Sequence, residues 1–149
     1  MPIDDGHGFV QDVRFAMTAE SDHPSSPSEI VSTFLKALER KQFDVALQMV
    51  SDDVEWDNVP MGKVFGPDGI RGVISSGITS DADRLEWIVQ RQIASGTTVF
   101  NERIDRFLVR GTWIEIAVAG IFEVRGDKII LWRDYFDRET FLKQLPEPA

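Results

Sequence analysis

Polar side chains alternate along one segment that otherwise has the composition of a buried β-strand. Asn101, Arg103 and Asp105 are spaced two residues apart, so in a strand they share one face. A further acid, Asp134, lies in the last segment of strand composition, on the same predicted face as Ile130. An arginine buried between two carboxylates would keep one of them ionised and let the other hold its proton. Acid–base catalysis needs that division of roles.

The same residues also have a simpler interpretation. Arg103 and Asp105 match an ion pair on a solvated sheet face, which contributes about 0–1 kcal/mol to stability. Asp134, near the end of a strand, matches an ordinary helix or turn cap. The pattern leaves both interpretations open. A closed cavity in which Arg103 contacts both carboxylates would separate them.

Composition narrows the chemistry that is available. The 149-residue chain has no cysteine and only two histidines, His7 and His23, both near its N-terminus. Thiol nucleophiles, disulfides and thiolate metal sites are therefore excluded. Two histidines in a predicted tail supply neither a serine triad nor an imidazole-rich metal site. Acid–base chemistry in this chain must depend on carboxylates, and no metal is expected.

The net charge and the hydropathy of the chain limit the classes of partner that we expect. The net charge is −9, which repels nucleic acid and anionic membrane surfaces. The longest apolar run, 116–122, is much shorter than the 18–20 or so residues of a membrane span. The first residues are acidic and lack an apolar signal region. We expect a cytoplasmic protein with no nucleic-acid partner and no membrane partner.

Helical patterns come first along the chain. Residues 1–25 are acidic and without regular pattern, which predicts a flexible tail, and residues 26–149 predict a single domain. Ser26, Pro27 and Glu29 have the spacing of a capping box and predict a helix start. A second helix is predicted with Phe43, Leu47 and Val50 on one side. Residues 52–60 then predict an extended segment. A third helix is predicted to begin at Pro67-Asp68-Gly69 and to reach Ile78.

Strand patterns follow the helical ones. Segments rich in β-branched and aromatic residues are separated by glycines and predict strands at 85–94, 97–110, 112–125 and 128–136. Asp137 can then cap a short closing helix. This order predicts an α+β fold. The N-terminal helices would pack on the concave face of a curved, mixed or antiparallel sheet and leave a cone-like pocket.

Three segments carry a resemblance to a known family. They are Phe100-Asn-Glu-Arg103-Ile-Asp105, the stretch from Gly120 to Trp132-Arg-Asp134-Tyr-Phe-Asp, and Trp56-Asp57-Asn58-Val59-Pro60. Together they resemble the limonene-1,2-epoxide hydrolase family, over roughly residues 28 to 145. That family belongs to a cystatin-like cone superfamily with nuclear transport factor 2, polyketide cyclases and ketosteroid isomerase. The Trp-Arg-Asp-Tyr-Phe-Asp stretch alone marks only the superfamily.

The resemblance implies a role for four residues. Asp134 would match the base that takes a proton from water, and Asp105 the acid that protonates the epoxide oxygen. Arg103 would match the residue that bridges both carboxylates, and Asn58 the amide that helps hold the attacking water. The family opens epoxides in one push–pull step, with no covalent intermediate, metal or cofactor.

One position departs from the family pattern. The family usually has a tyrosine two residues before the water-holding asparagine, and here that position is Trp56. An indole N–H donates a hydrogen bond but cannot accept one. The water would then be held through Trp56, through Asp57 or through a repositioned group. Trp56 is equally consistent with a plain aromatic wall of the pocket.

The resemblance implies addition of water to a lipophilic, terpene-like epoxide to give a vicinal diol. The alternatives are a polyketide cyclase or ketosteroid-isomerase-like enzyme, or a non-catalytic ligand-binding module. A ketosteroid isomerase needs a tyrosine donor, and alternation places the only tyrosine, Tyr135, on the face opposite Asp134. Phe, Ile and Leu on the outer face of the predicted sheet further predict a homodimer.

Overall fold

A curved six-stranded sheet forms the centre of the protein. The structure is a computed structural model and describes residues 25–147. The predicted tail, apart from its last residue, lies outside the described residues, so the domain boundary stays a prediction. In chain order, the elements are α1 (Pro27–Glu39), α2 (Phe43–Leu47), β1 (Val50–Asn58), β2 (Gly62–Phe65), α3 (Gly66–Ser76), α4 (Ile78–Asp81), β3 (Arg84–Ser95), β4 (Thr98–Val109), β5 (Thr112–Arg125), β6 (Lys128–Tyr135) and α5 (Arg138–Gln144).

Helix α1 begins at the predicted capping box. The Glu29 backbone N–H donates to Ser26 Oγ at 3.2 Å, and the Ser26 N–H donates to Glu29 Oε1 at 3.3 Å. The apolar stripe of α1, including Phe34 and Leu38, is buried and packs across β3 to β6. The hydrophobic effect of burying this stripe is the main contribution that holds the helix on the sheet. Asp137 caps α5 through the Thr140 N–H at 2.9 Å, as predicted.

The sheet is mixed. Its strand order is β2-β1-β6-β5-β4-β3, and β3 to β6 form the predicted antiparallel meander. Strand β1 pairs in parallel with β6 and antiparallel with β2. The four predicted strands agree with β3 to β6 to within one or two residues at each end. The parallel pairing of β1 with β6 is the connection that matters for the site.

Two details of the predicted helices are wrong, and one strand was not predicted. Val50 lies in β1 and not in the second helix, because it pairs with Ile129 in the sheet. Ile78 begins the separate helix α4, because Gly77 is extended (φ −118°, ψ −171°) and interrupts the helical turn. The short strand β2 was not predicted, because its four residues carry little pattern of their own and depend on β1 for pairing.

A bulge in β6 changes one predicted face. Glu123 pairs with Leu131 and Val124 with Ile129, so Ile130 is an extra residue on the bulged strand. The predicted grouping of Ile130 with Asp134 is therefore wrong. The buried residue in its place is Ile129, which is 0% exposed. Beyond the bulge, normal alternation holds, and Asp134 faces the interior as predicted.

Candidate active site

Arg103 lies between the two predicted carboxylates. Its Nε donates to Asp105 Oδ1 and its Nη2 to Asp105 Oδ2, both at 3.0 Å. The same Nη2 donates to Asp134 Oδ2 at 3.0 Å. Arg103 is 0% exposed and each aspartate is 5% exposed. These distances and this burial exclude the interpretation of Arg103 and Asp105 as a solvated ion pair.

Three neighbouring strands bring this cluster together, and a glycine makes room for it. Gly120 on β5 pairs with Asn101 on β4 and with Asp134 on β6. A Cβ at position 120 would overlap Arg103 Nη1 and Asn101 Oδ1 and would lie 3.0 Å from Asp134 Oδ1. Gly120 was not predicted to have a role. A glycine in the interior of a strand is the sequence signal that could have indicated this close approach.

One carboxylate oxygen of Asp134 is free to accept a hydrogen bond from a bound molecule. Its Oδ2 accepts from Arg103 and from Trp132 Nε1, the latter at 3.0 Å. Its buried Oδ1 has no hydrogen-bond partner among residues 25–147. Burial raises the pKa of Asp134, Asp105 adds to that rise, and Arg103 opposes it. A carboxylate with a raised pKa is a stronger base whenever it is ionised. The hydrogen bond from Trp132 to Asp134 was not predicted from the sequence.

The two carboxylates favour the charged form of Arg103. Burial alone would lower the pKa of Arg103, but Asp134 and Asp105 outweigh burial and raise that pKa above its ordinary value. Arg103 therefore stays a cation. One cation beside two carboxylates leaves a net negative charge in a buried place, which is costly. Arg103 offsets this buried negative charge through its contacts with both carboxylates.

The parallel pairing of β1 with β6 places the two remaining predicted residues. Trp56 lies beside Trp132, and Asn58 lies beside Asp134. The rings of Trp56 and Trp132 stack with centroids 4.3 Å apart and an angle of 8°. The buried Trp56 Nε1 has no partner in the described part of the chain. Asp57 Oδ2 instead accepts from Arg133 Nε at 3.0 Å, and Asp57 is not among the residues that line the cavity described next.

A largely apolar cavity of about 480 Å³ lies over the cluster. Asp105, Asp134 and Asn58 contribute polar atoms to its wall. Arg103 lies behind the carboxylates rather than at the cavity floor. The volume is in the range that accommodates a small organic ligand. The apolar wall includes Trp56, Trp87, Phe107, Ile116, Val118, Trp132, Phe136 and Phe141.

Two further observations concern residues 25–147 only. Their acidic side chains do not converge in groups of three or more that could hold a metal ion. Their helices are all too short or too polar to cross a membrane.

Fold and site together define the class of this protein. It is a cone-like α+β protein in which an arginine bridges two carboxylates under an apolar cavity. The family model described as "Limonene-1,2-epoxide hydrolase catalytic domain" matches residues 25–147. This chain therefore belongs to the limonene-1,2-epoxide hydrolase family, which confirms the resemblance seen in the sequence. It is similar to "Epoxide hydrolase EphG" of Mycobacterium tuberculosis, with 32% identity over 115 residues, 77% of this chain and 76% of that protein.

Solved structures agree with this assignment. An "LEH-like epoxide hydrolase" of M. tuberculosis superposes with a TM-score of 0.70 and 29% identity, over 80% of this chain and 88% of that one. A hypothetical protein of ketosteroid isomerase-like fold from Catenulispora acidiphila has a TM-score of 0.70 at 20% identity, over 82% and 96% of the two chains. The second likeness shows the fold alone. The predicted α+β fold is confirmed.

Proposed function

We propose that this protein adds water to a lipophilic epoxide and releases a vicinal diol. The observation that carries the proposal is the bridge from Arg103 to Asp105 and Asp134, placed under an apolar cavity. The cluster offers an acid and a base at once, and opening an epoxide with water uses both. A curated relative named as an epoxide hydrolase supports the same reaction.

The proposed step moves two protons and two bonds. Asp134 takes a proton from water while the water oxygen bonds to one epoxide carbon. The carbon–oxygen bond of the ring breaks, and the ring oxygen takes a proton from Asp105. Asp134 is then protonated and Asp105 ionised, so one proton transfer from Asp134 to Asp105 restores the starting state. Arg103 balances the charge on whichever carboxyl group is ionised.

The water position is proposed from three groups around Asp134. Asn58 lies next to Asp134 in the sheet, so its amide oxygen is suited to accept the second water proton. The unpartnered Trp56 N–H would donate to one lone pair of the water. The other lone pair then remains for the attack on the epoxide. In this arrangement Trp56 replaces the family's tyrosine, but it can only donate a hydrogen bond to the water and cannot accept one.

The cavity supports a small, terpene-sized substrate. Its volume of about 480 Å³ and its aromatic wall favour a compact hydrocarbon skeleton over a polar or charged substrate. The isomerase alternative is disfavoured by Tyr135, which is 45% exposed and lies on the face opposite Asp134. Tyr135 does not line the cavity, so its hydroxyl is not available to donate a hydrogen bond to an oxyanion there.

A homodimer is part of the proposal. Ile88, Ile93 and Phe100 are 45%, 70% and 44% exposed on the hairpin of β3 and β4. Large apolar side chains grouped in this way favour burial against another chain. Sedimentation equilibrium of the whole protein checks this, and a monomer at all concentrations would contradict it.

The cytoplasmic location inferred from composition also stays a prediction.

The test of the proposed reaction is a panel of epoxides that includes limonene oxide. We expect diol from the parent protein and none from Asp134→Asn, with the fold of the variant checked by circular dichroism. In ¹⁸O water with enzyme in excess, a single turnover should place the label in the diol and not in the protein. A label in the protein would contradict direct attack by water. No diol from any epoxide would favour the binding-module alternative.

A further inference from the structure

A directed chain of hydrogen bonds runs from Arg103 to the start of helix α1. Arg103 Nη1 donates to Asn101 Oδ1 at 3.0 Å, and Asn101 Nδ2 donates to Gln92 Oε1 at 3.2 Å. Gln92 Nε2 donates to the Ser28 carbonyl oxygen at 3.1 Å and to Ser28 Oγ at 2.8 Å. It also lies 3.0 Å from Ser32 Oγ. The chain thus crosses from β4 through β3 to the first turn of α1.

The acceptor-only carbonyl of Ser28 fixes the direction of this chain. A primary amide has one donor end and one acceptor end. The nitrogen of Gln92 faces Ser28, so its oxygen must face Asn101. Asn101 is then held with its nitrogen towards Gln92 and its oxygen towards Arg103. A reversed Asn101 would put two donors face to face at a residue only 5% exposed, which is costly.

We propose that Gln92 and Asn101, anchored by Ser28, form a positioning relay that holds Arg103 in the orientation that bridges Asp105 and Asp134. The inference rests on the proposed epoxide hydrolase reaction. Arg103 Nη2 is 3.0 Å from an oxygen of each carboxylate, so a small rotation of the guanidinium group breaks one of the two bonds. The bond from Nη1 to Asn101 opposes that rotation. Gln92 and Asn101 act through Arg103 and not on the substrate.

Two substitutions at Gln92 separate this role from simple bracing of the helix. Gln92→Glu keeps an oxygen facing Asn101 but cannot donate to Ser28. Gln92→Met has a similar length and loses both ends. We expect Gln92→Met to lower kcat by about 10-fold, with KM changed by less than about twofold, because misplaced groups mainly lose transition-state stabilisation. Gln92→Glu should recover most of that loss.

A neighbouring residue gives the matched control. Arg91 lies beside Gln92 in β3, and its Nη1 makes an exposed ion pair with Glu102 Oε2 at 2.5 Å. Arg91→Met should leave kcat unchanged while disturbing the same edge strand. If Gln92 only braces α1 by donating to the Ser28 carbonyl oxygen, Gln92→Glu and Gln92→Met both lose that contact and should behave alike. Equal kcat values for these two variants would overturn the relay.

A measurement without substrate keeps the relay testable apart from the reaction. The Arg103 Nε–H signal in ¹H–¹⁵N NMR, assigned through the side-chain carbons, should exchange slowly in the parent protein and in Gln92→Glu. It should exchange faster with solvent in Gln92→Met. That pattern in a protein that hydrolyses no epoxide would refute the reaction and keep the relay as a positioning device. Equally slow exchange in all three proteins would overturn the relay itself.

Discussion

Arg103 and Arg133 each lie between two carboxylates, but of these two clusters only that of Arg103 adjoins the cavity. In the buried cluster, Arg103 bridges Asp105 and Asp134. In the outer cluster, Arg133 Nε donates to Asp57 Oδ2 at 3.0 Å, and its Nη2 donates to Glu55 Oε2 at 2.7 Å. The side chain of Arg103 is 0% exposed and that of Arg133 is 30% exposed.

The comparison shows that hydrogen-bond geometry does not by itself make a site. The two arginines donate through the same atoms over similar distances. Burial differs, and it raises the pKa of Asp134, whereas water screens the charges of the outer cluster. Arg133 and Asp134 are adjacent in β6 and face opposite sides of the sheet, so neighbouring positions of one strand hold a partly solvated ion pair and the candidate catalytic base. The outer cluster and the outer face of β5 therefore supply control positions for substitutions in the buried cluster.

Removing the arginine should give the largest difference in stability. Arg103→Met leaves two buried carboxyl groups without their cation and should lower the free energy of unfolding by about 3–5 kcal/mol. Arg133→Met should lower it by at most about 1 kcal/mol, because its partners are partly solvated. Urea denaturation measures both. Equal losses would mean that burial does not distinguish the two clusters.

A methyl group on β5 should come next. Gly120→Ala places a Cβ against Arg103 Nη1 and Asn101 Oδ1, and overpacking of this kind costs about 1–3 kcal/mol. Its turnover should also fall, since the cluster must shift to admit the methyl group. Ala119→Ser, on the exposed outer face of the same strand, should change neither stability nor turnover. Full activity of Gly120→Ala would contradict the close packing described here.

The pH dependence of turnover should report on Asp134. Because burial raises its pKa, Asp134 becomes an ionised base only above that raised value. The value of kcat/KM should therefore fall as the pH is lowered, with a midpoint above the ordinary aspartate value of 3.8. A pH–rate profile with its acid limb at the ordinary value, or with none, would argue against Asp134 as the base.

Stability should depend on pH in the opposite sense. A raised pKa in the folded state means that folding favours the protonated form of Asp134. Its contribution to stability is full below the unfolded pKa and is lost as the pH rises through the folded pKa. Urea denaturation across this range should show that loss in the parent protein, and Asp134→Asn should flatten it. The same slope in both proteins would assign the effect to another group.

Removing one N–H should give the smallest effect. Trp56→Phe keeps an apolar ring against Trp132 but removes the unpartnered indole donor. If that donor holds the attacking water, kcat should fall by about fivefold, the equivalent of one hydrogen bond of about 1 kcal/mol. Trp56→Tyr restores a donor and should recover part of the rate. An unchanged rate in Trp56→Phe would leave Trp56 as an aromatic wall of the cavity.

Local patterns were enough to predict the faces of the site residues in the meander, but not that of Ile130 at the β6 bulge. Alternation along β4 placed Arg103 and Asp105 together, and alternation after the bulge placed Asp134 inside and Tyr135 outside. The capping box predicted the start of α1 from three residues. These features depend on neighbours within one strand or one helical turn, which a sequence displays directly.

Long-range pairings were not predictable in the same way. The parallel pairing that puts Asn58 beside Asp134 joins residues far apart in the chain, and the position of Asn58 rested on family resemblance alone. The bulge at Ile130 follows from the registers of β5 and β6 together. The link from Gln92 to Ser28 likewise depends on how α1 lies across the edge of β3.

The most direct test of the account compares one carboxylate from each cluster. Asp134→Asn and Asp57→Asn make the same chemical change on adjacent strands, one in the buried cluster and one in the outer cluster. With an epoxide that the parent protein hydrolyses, Asp134→Asn should lower kcat by about 10³-fold, the scale expected for losing a general base. Asp57→Asn should stay within about twofold of the parent. Substantial turnover by Asp134→Asn, or an equal loss in both variants, would contradict the assignment of the buried cluster as the active site.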